Sequence, residues 1–272
     1  MKKGKIINKP GQEHRTALIK LLDKFQHQFS IWQVWDDMVY FCAAALSQPC
    51  QWVQAREDEY LRRMKRYPKD LQDLFPQMLA ELTLAFEQEG FMDVLGSMYM
   101  DLNLGNHWRG QYFTPYEVAL MMAKIAGGNP AEEIKQSGFV SVNDSSCGSG
   151  VLLIAAAQNY FDNKINYQQK VLFVGQDVDS VVALMCFVQM SLLSMPGYVI
   201  IGNTFTQPLV GDALFPKIGK VHENIPDADI WYTPMFFSDI WHYRRLWRRV
   251  MEFTNLLKND KKSENNEEEE IN

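Results

Sequence analysis

Apolar residues in the first third of the chain recur with the period of an α-helix. Leu18, Leu21, Leu22 and Phe25 occupy positions i, i+3, i+4 and i+7, which places them on one face of a helix. Helical patterns of this kind continue as far as about residue 105. The pattern therefore predicts an N-terminal all-α domain over residues 1–105.

Beyond this region the pattern changes to short apolar runs that alternate with helical stretches. Four runs rich in β-branched or aromatic residues are predicted strands: Val140–Val142, Val171–Val174, Tyr198–Ile201 and Ala228–Tyr232. Strands that alternate with helices indicate an α/β fold with a parallel sheet. A second domain is predicted over residues 106–257.

The most informative segment follows the first predicted strand. Asp144 ends that strand, and Gly148 and Gly150 allow the backbone to approach a ligand before the helix that begins at Val151. In open α/β sheets, nucleotide-like ligands bind at the carboxyl ends of the strands, against a helix N-terminus. A carboxylate suits a ligand with an ammonium or hydroxyl group, which indicates S-adenosylmethionine (SAM). Such a turn by itself also occurs as a simple tight connection.

Polar residues also follow the next two strands. Asp177 ends the second strand, where an acidic side chain accepts hydrogen bonds from ribose hydroxyls in other βαβ nucleotide sites. Asn203 follows the third strand. The sequence predicts a graded site, with Asp144 at the amino-acid end of the ligand, Asp177 at the ribose and Asn203 at the adenine edge.

Together, these motifs resemble the N6-adenine DNA methyltransferases, and among them the modification subunits of type I restriction systems. The resemblance rests on G-Q-Y-F-T-P at residues 110–115, D-S-S-C-G-S-G at 144–150, G-Q-D-V-D at 175–179 and G-N-T-F at 202–205. It also includes D-V-L-G-S-M-Y at 93–99 and extends roughly to Phe236. Four linked motifs in this order are more specific than any one of them. The resemblance implies a Rossmann-like, SAM-dependent methyltransferase sheet after the helical domain.

The resemblance also assigns the cofactor contacts. It implies that Phe113, Thr114 and Pro115 contact the methionine part of SAM, that Asp144, Cys147, Gly148, Ser149 and Gly150 hold its amino-acid end, that Asp177 binds the ribose, and that Asn203 lies by the adenine. The four strands predicted from this sequence are fewer than those of the full sheet of the family. The sheet is therefore predicted to be truncated, or to be completed by a partner chain.

The catalytic motif departs from the family's pattern. The tetrapeptide Asn/Asp-Pro-Pro-Tyr/Phe is expected after the fourth strand, where this chain has Thr233, Pro234, Met235 and Phe236. In the family the amide accepts a hydrogen from adenine N6, and the aromatic ring stacks on the flipped base. Thr233, Pro234 and Phe236 are therefore the candidate catalytic residues. Slow activity, an altered substrate and no activity are all compatible with this departure.

Two basic segments are candidate contacts to nucleic acid. The first spans Arg62–Arg66, and the second contains Arg244, Arg245, Arg248 and Arg249 interleaved with aromatic residues. Phosphate contact combined with base stacking uses this composition. The alternative for the second segment is an amphipathic helix with its tryptophans in the core and its arginines in water.

Composition limits the remaining possibilities. The net charge is −6, and residues 258–272 contribute half of it with three lysines and six acidic residues, so this segment is predicted to be a disordered acidic tail. The four cysteines have no C-x-x-C spacing, which favours a reduced, cytoplasmic and metal-free protein. No secretory signal and no apolar run long enough to span a membrane is recognised.

The sequence thus predicts SAM-dependent methyl transfer to adenine N6 in DNA, of the restriction-modification or mobile-element type. The predicted partners are DNA and a specificity or completing subunit. The main alternative is a catalytically inactive, SAM-binding accessory subunit associated with DNA. A methyltransferase for proteins or small molecules is less favoured, because those relatives generally lack the preceding helical domain. A nicotinamide dehydrogenase is disfavoured by the absence of G-x-G-x-x-G at the first turn.

Overall fold

The computed structural model describes residues 11–104, 114–127 and 130–270, with side chains of the last helix described as far as Thr254. The predicted contact Phe113 lies outside the described residues. Six helices form the N-terminal region: α1 Gln12–Asp23, α2 Ile31–Ser47, α3 Gln54–Met64, α4 Lys69–Gln72, α5 Leu74–Glu89 and α6 Val94–Asp101. The helical prediction for this region is confirmed, since Leu18, Leu22 and Phe25 are fully buried.

Helix α2 explains how the helical region joins the rest of the molecule. Ser30 caps its first turn by accepting a hydrogen bond from the backbone N–H of Gln33 at 3.2 Å. The helix is apolar on most of its sides and is largely buried. One continuous hydrophobic core includes residues of α2, α5 and the sheet, so the helical region packs directly on the α/β region.

Four strands form the main sheet in the order β1-β2-β3-β6. They are β1 Val140–Asp144, β2 Val171–Asp177, β3 Gly197–Ile201 and β6 Asp229–Tyr232, while β4 Leu209–Val210 and β5 Lys217–Ile218 form a separate small hairpin. β1, β2 and β3 run parallel, and the register pairs Asp144 with Gly175 and Asp177 with Ile201. The α/β fold class predicted from the sequence is confirmed. The ends of β1, β2 and β3 therefore meet at one edge, called the carboxyl edge below.

Helices connect these strands and cover the two sheet faces. Helices α7 Tyr116–Ala126, α8 Pro130–Ser137, α9 Val151–Asp162, α10 Tyr167–Lys170 and α11 Ser180–Leu192 precede or link the parallel strands. Alternate residues of β2 face opposite sides: Phe173 packs in the core with α11, whereas Leu172 and Val174 pack with Trp241. This two-sided burial explains the uninterrupted apolar sequence of β2.

The fourth strand of the sheet runs against the other three. β6 pairs antiparallel with β3, so that Ile201 lies opposite Asp229 and Tyr198 lies opposite Tyr232. The prediction of a fourth parallel strand is wrong in this respect. The end of β6 consequently lies beside the start of β3, at the edge opposite the carboxyl edge.

The last helix, α12, spans Asp239–Glu270 and buries Trp241 against the second face of the sheet. Its backbone is helical through residues 258–270, where glutamate and lysine are strong helix formers. The disordered acidic tail indicated by composition stays a prediction. No helix among the described residues has both the length and the apolar composition needed to cross a membrane.

Candidate functional site

The structure brings the three predicted strand-end residues to one place. The backbone N–H of Gly148, in the turn after β1, donates a hydrogen bond to Asp177 Oδ2 at the end of β2 at 2.9 Å. The Thr204 hydroxyl, in the loop after β3, donates to the carbonyl oxygen of Ser145 at 2.6 Å. These two bonds join the loops that follow β1, β2 and β3. The loops that carry Asp144, Asp177 and Asn203 therefore meet at the carboxyl edge.

Asp144 carries an unsatisfied acceptor in this site. Its Oδ1 accepts a hydrogen bond from the backbone N–H of Ser146 at 3.1 Å. Its Oδ2 is buried and has no hydrogen-bond partner among the described residues. Burial raises the pKa of Asp144 above its usual value, and the nearby Asp177 carboxylate raises it further. A buried carboxylate oxygen of this kind is stabilised by a cationic or hydrogen-bond-donating ligand.

Asp177 holds the turn in place as well as facing the site. Its Oδ2 accepts the hydrogen bond from Gly148, and its Oδ1 accepts one from the backbone N–H of Asp179 at 2.9 Å. Each carboxylate oxygen retains a further lone pair for a ligand hydroxyl. Asp177 can therefore bind a ligand while it fixes the distance between the loops after β1 and β2.

The turn itself requires glycine. Gly148 and Gly150 have positive φ angles of 52° and 95°. A Cβ atom at Gly150 would lie 2.6 Å from Cys186 Sγ, so a larger residue would collide with α11 as well as strain the backbone. Helix α9 begins at the next residue, and its first backbone N–H groups are available to an anionic ligand group.

The side chains of two residues of the turn point into the protein, while the contact of the turn itself with a cofactor stays a prediction. Cys147 is buried, and its thiol lies against Cys186; a hydrogen bond with Cys186 and burial raise its pKa well above the usual range. The Ser149 hydroxyl is also buried and donates to Asp93 Oδ2 at 2.7 Å. Only the backbone of these two residues is in a position to serve a ligand at the carboxyl edge.

A buried polar network supports the turn from behind. Gln189 of α11 donates to Asp93 Oδ1 and to the Ser149 carbonyl oxygen, both at 2.7 Å, and accepts from the backbone N–H of Leu95 at 2.9 Å. Asp93 also accepts from the backbone N–H of Gly96 at 2.9 Å. Gln189 is not among the residues predicted from the sequence. Its signal was a single amide within the otherwise apolar run of α11.

Asn203 and two exposed apolar residues complete the edge. Asn203 Oδ1 accepts a hydrogen bond from the backbone N–H of Phe205 at 2.9 Å, an Asx turn that orients the loop after β3. Phe205 is 89% exposed, and Val178, after β2, is 69% exposed. Exposed apolar side chains beside polar strand ends are suited to a planar ligand ring. Neither residue belongs to a periodic pattern, so neither is predicted from the sequence.

Thr114 and Pro115 lie at the start of helix α7. Pro115 precedes the first residue of that helix, and its carbonyl oxygen accepts from the backbone N–H of Val118 at 3.0 Å. Helix α7 packs along α9, the helix that begins at the glycine turn. The fold thus associates this part of the predicted motif with the turn, while the contact of these residues with a ligand stays a prediction.

The predicted catalytic residues are not at the carboxyl edge. Thr233 is fully buried; its hydroxyl donates to the Met195 carbonyl oxygen at 2.8 Å and accepts from the Gly197 N–H at 3.0 Å. Pro234 begins a short 3₁₀ turn, and Phe236 is buried against Tyr198 and Tyr232. The placement follows from the antiparallel direction of β6. The structure therefore does not bring Thr233, Pro234 and Phe236 together with Asp144.

The four predicted nucleic-acid arginines differ in their surroundings. Arg244 donates to the carbonyl oxygens of Gly138 and Gln169, and Arg248 forms a 2.8 Å ion pair with Asp212. Arg245 stacks on Phe236, and Arg249 stacks on Phe215. In the first basic segment, Arg63 and Arg66 both pair with the buried carboxylate of Asp37, and Arg62 pairs with Glu59. Arg62, Lys65 and Arg66 are nevertheless exposed.

Comparison with known proteins identifies the family of this fold. A family model described as N-6 DNA methylase matches residues 92–263, which is more than half of the chain. The chain belongs to the N-6 DNA methylase family. The range that matches the methylase model begins just before Asp93 and includes the whole carboxyl edge. The resemblance recognised from the motifs is confirmed.

Two solved structures are similar to the chain. A candidate class I S-adenosylmethionine-dependent methyltransferase from Listeria monocytogenes is 19% identical, with a TM-score of 0.40 over 74% of this chain and 57% of that one. The methyltransferase subunit of a type I restriction-modification system from Streptococcus thermophilus is 14% identical, with a TM-score of 0.36 over 72% of this chain and 59% of that one. The chain thus spans less than two thirds of the length of either structure. No curated protein matches it.

Proposed function

We propose that the chain binds SAM at the carboxyl edge and takes part in the methylation of adenine N6 in DNA. The observation that carries the proposal is the convergence of Asp144, Asp177 and Asn203 around a glycine turn at a helix N-terminus. The membership of the N-6 DNA methylase family supports the reaction class.

The residues present fit SAM. The unpartnered, buried Oδ2 of Asp144 suits the ammonium of the methionine part. The backbone N–H groups at the start of α9 suit its carboxylate, Asp177 suits the ribose hydroxyls, and Asn203 with the exposed Phe205 suits the adenine. When bound, SAM supplies a methyl group activated by the positive sulfonium. The chain's own residues orient the ligand and hold its charges.

Transfer to adenine also requires acceptors for the N6 hydrogens. Adenine N6 is a weak nucleophile because its lone pair is delocalised into the ring, so an enzyme must position acceptors beside it. Thr233 is unsuited to this role, since its hydroxyl is buried and bonded to the backbone at the far edge of the sheet. This placement favours a second candidate function, a SAM-binding chain that performs no transfer by itself.

In this second candidate function, the partner is another chain that adds a strand to the sheet. β1 pairs with β2 on one side, and no described strand pairs with its other side. Two grooves lie near this open edge: a mainly apolar groove between α7 and α9, and a groove beside α12 with both apolar and polar lining residues. A further strand beside β1 would fill both grooves with its alternating side chains. DNA is the proposed substrate in either case.

Replacing Asp177 tests the cofactor assignment. We expect Asp177→Ala to weaken SAM binding about tenfold or more, because it removes the acceptor for the ribose and two bonds that hold the turn. Isothermal titration calorimetry with SAM measures the change, with Asp162→Ala at the exposed end of α9 as the matched control. An unchanged dissociation constant in Asp177→Ala, or no heat with the native chain, rules out the assignment.

A methyl-transfer assay separates the two candidate functions. We expect the chain by itself, incubated with labelled SAM and unmethylated DNA, to bind SAM without incorporating label at adenine N6. Asp144→Asn and Phe236→Ala serve as companion variants. Incorporation that is lost in Asp144→Asn and survives Phe236→Ala would establish a catalytic chain whose acceptors lie elsewhere. Incorporation that is lost specifically in Phe236→Ala, with SAM binding and stability retained, would contradict the placement of the tetrapeptide described above.

A further inference from the structure

A cavity of about 430 Å³ lies on the side of the sheet remote from Asn203. Its walls come from the β4–β5 hairpin, the end of β6, the 3₁₀ turn and α12, and they include Phe215, Lys217, Tyr232, Phe236, Arg245 and Arg249. Tyr232 pairs with Tyr198 near the start of β3, at the edge opposite the carboxyl edge. We call this space the arginine cavity. It is separate from the proposed SAM site.

Three basic side chains line the arginine cavity. Lys217, Arg245 and Arg249 line it, and none of its described lining residues is acidic. Burial lowers the pKa of Arg245, and repulsion from Arg249 lowers it further. Like charges that line one cavity are stabilised by an anion.

Aromatic rings hold the two arginines in place. The guanidinium of Arg245 lies 4.2 Å from the ring centre of Phe236, and its Nη1 donates to the Phe236 carbonyl oxygen at 2.9 Å. The guanidinium of Arg249 lies 5.0 Å from the ring centre of Phe215. A guanidinium stacked in this way keeps most of its N–H groups free for an anion. Phosphate is the anion that this fixed, planar arrangement suits.

The same walls offer surfaces to a planar ring. Tyr232 and Phe215 are partly exposed and line the cavity, whereas Phe236 is buried 4.8 Å behind Tyr232 and its ring is covered by Arg245. Aromatic side chains interleaved with arginines bind unpaired bases by stacking while the cations bind the backbone. A ligand with one phosphate and one base therefore matches the cavity in charge and in shape.

The neighbouring arginines of α12 provide an internal contrast. Arg248, one residue before Arg249, is neutralised by Asp212 at 2.8 Å. Arg244, one residue before Arg245, is bonded to backbone carbonyl oxygens on the opposite side of the helix. Of these four arginines, Arg245 and Arg249 line the arginine cavity.

We propose that the arginine cavity binds one nucleotide unit of a single-stranded nucleic acid, with the phosphate at Arg245, Arg249 and Lys217 and the base against the aromatic walls. Free nucleotides share this chemistry, so the test includes them as a separate source. The site lies away from the carboxyl edge, and it would anchor a strand without placing its base beside the cofactor.

Fluorescence anisotropy with a labelled oligothymidylate of about 12 nucleotides tests the proposal on the full chain. We expect Arg249→Gln to weaken binding about fivefold or more and to reduce the slope of log affinity against log salt by about one. Arg249 is exposed, so this substitution leaves the fold intact. Lys217→Gln is expected to act in the same direction. Arg248→Gln, the matched control on the same helix, is expected to change affinity less than twofold.

Competition identifies the source of the ligand. Thymidine monophosphate that displaces the strand from the native chain, and less well from Arg249→Gln, supports the cavity and admits free nucleotides as its ligand. Inorganic phosphate that competes as well as the monophosphate overturns the role of the base. Absence of strand binding, or equal losses in Arg248→Gln and Arg249→Gln, overturns the proposal. If the chain binds the oligothymidylate but shows no heat with SAM, the proposed function is wrong and the nucleotide-binding proposal is supported.

Discussion

Asp144→Asn is expected to weaken SAM binding about 100-fold, the largest functional effect of a single substitution in this chain. The change removes the negative charge that faces the ligand ammonium but keeps the shape of the side chain. Hydrogen bonds to charged groups contribute about 1.5–3 kcal/mol, and the upper value corresponds to about two orders of magnitude in affinity. Calorimetric titration of the variant with SAM measures the effect, with Asp162→Asn as the matched surface control.

The same substitution is expected to stabilise the ligand-free chain. At neutral pH the Asp144 carboxylate is buried with an unpartnered oxygen, which opposes folding. Because burial raises the pKa of Asp144 above 3.8, its protonated form is favoured in the folded state. The contribution of Asp144 to the stability of the native chain should therefore become more favourable as pH falls from neutral toward 3.8, and SAM affinity should fall over the same interval.

Denaturant unfolding of both chains across this pH range checks the sign. The free energy of unfolding of Asp144→Asn should lack this contribution to the pH dependence. At neutral pH its denaturant midpoint should be higher than that of the native chain. A variant that is less stable than the native chain at neutral pH, together with unchanged SAM affinity, would show that Asp144 serves the fold and not a ligand.

Asp93→Ala is expected to cause the largest loss of stability, about 3–5 kcal/mol. The carboxylate accepts hydrogen bonds from Ser149, Gln189 and the backbone of Gly96, and all of these donors are buried. Each buried donor left without a partner costs about 1–3 kcal/mol. For a chain of this size the change corresponds to a melting temperature lower by roughly 10 °C.

Thermal and denaturant unfolding measure this loss, and two variants control for it. Asp93→Asn retains one acceptor and the side-chain volume, so it should lose about half as much stability. Asp101→Ala, at the exposed end of α6, should be neutral. A loss below about 1 kcal/mol for Asp93→Ala would mean that water replaces the carboxylate and that the network does not hold the glycine turn.

The carboxylates of the buried network and of the site differ in the number of hydrogen-bond donors around them. Asp93 is surrounded by three donors that partly offset its burial, although burial still raises the pKa of its carboxyl above the usual value. Asp144 has a single backbone donor, and its second oxygen has no described partner. The first arrangement serves structure, and the second is suited to a ligand. The difference is the physical basis for assigning function to Asp144 and support of the turn to Asp93.

The sequence by itself determined the local elements and the order of the motifs. Apolar residues at helix spacing identified the N-terminal helices, and β-branched runs identified β1, β2 and β3, because both signals depend only on near neighbours in the chain. The position of Asp144, Asp177 and Asn203 at one edge also followed from sequence, since parallel strands joined by helices bring their carboxyl ends together.

Only the tertiary structure decided the direction of β6 and the orientation of individual side chains. A strand has the same apolar pattern in either direction, so the sequence did not reveal that Thr233 lies at the far edge of the sheet. Cys147 and Ser149 lie in the glycine turn, yet their side chains face Cys186 and Asp93 because α11 and α6 pack behind it. Which arginines are neutralised likewise depends on Asp212, a residue distant in sequence from Arg248 but adjacent to it in the fold.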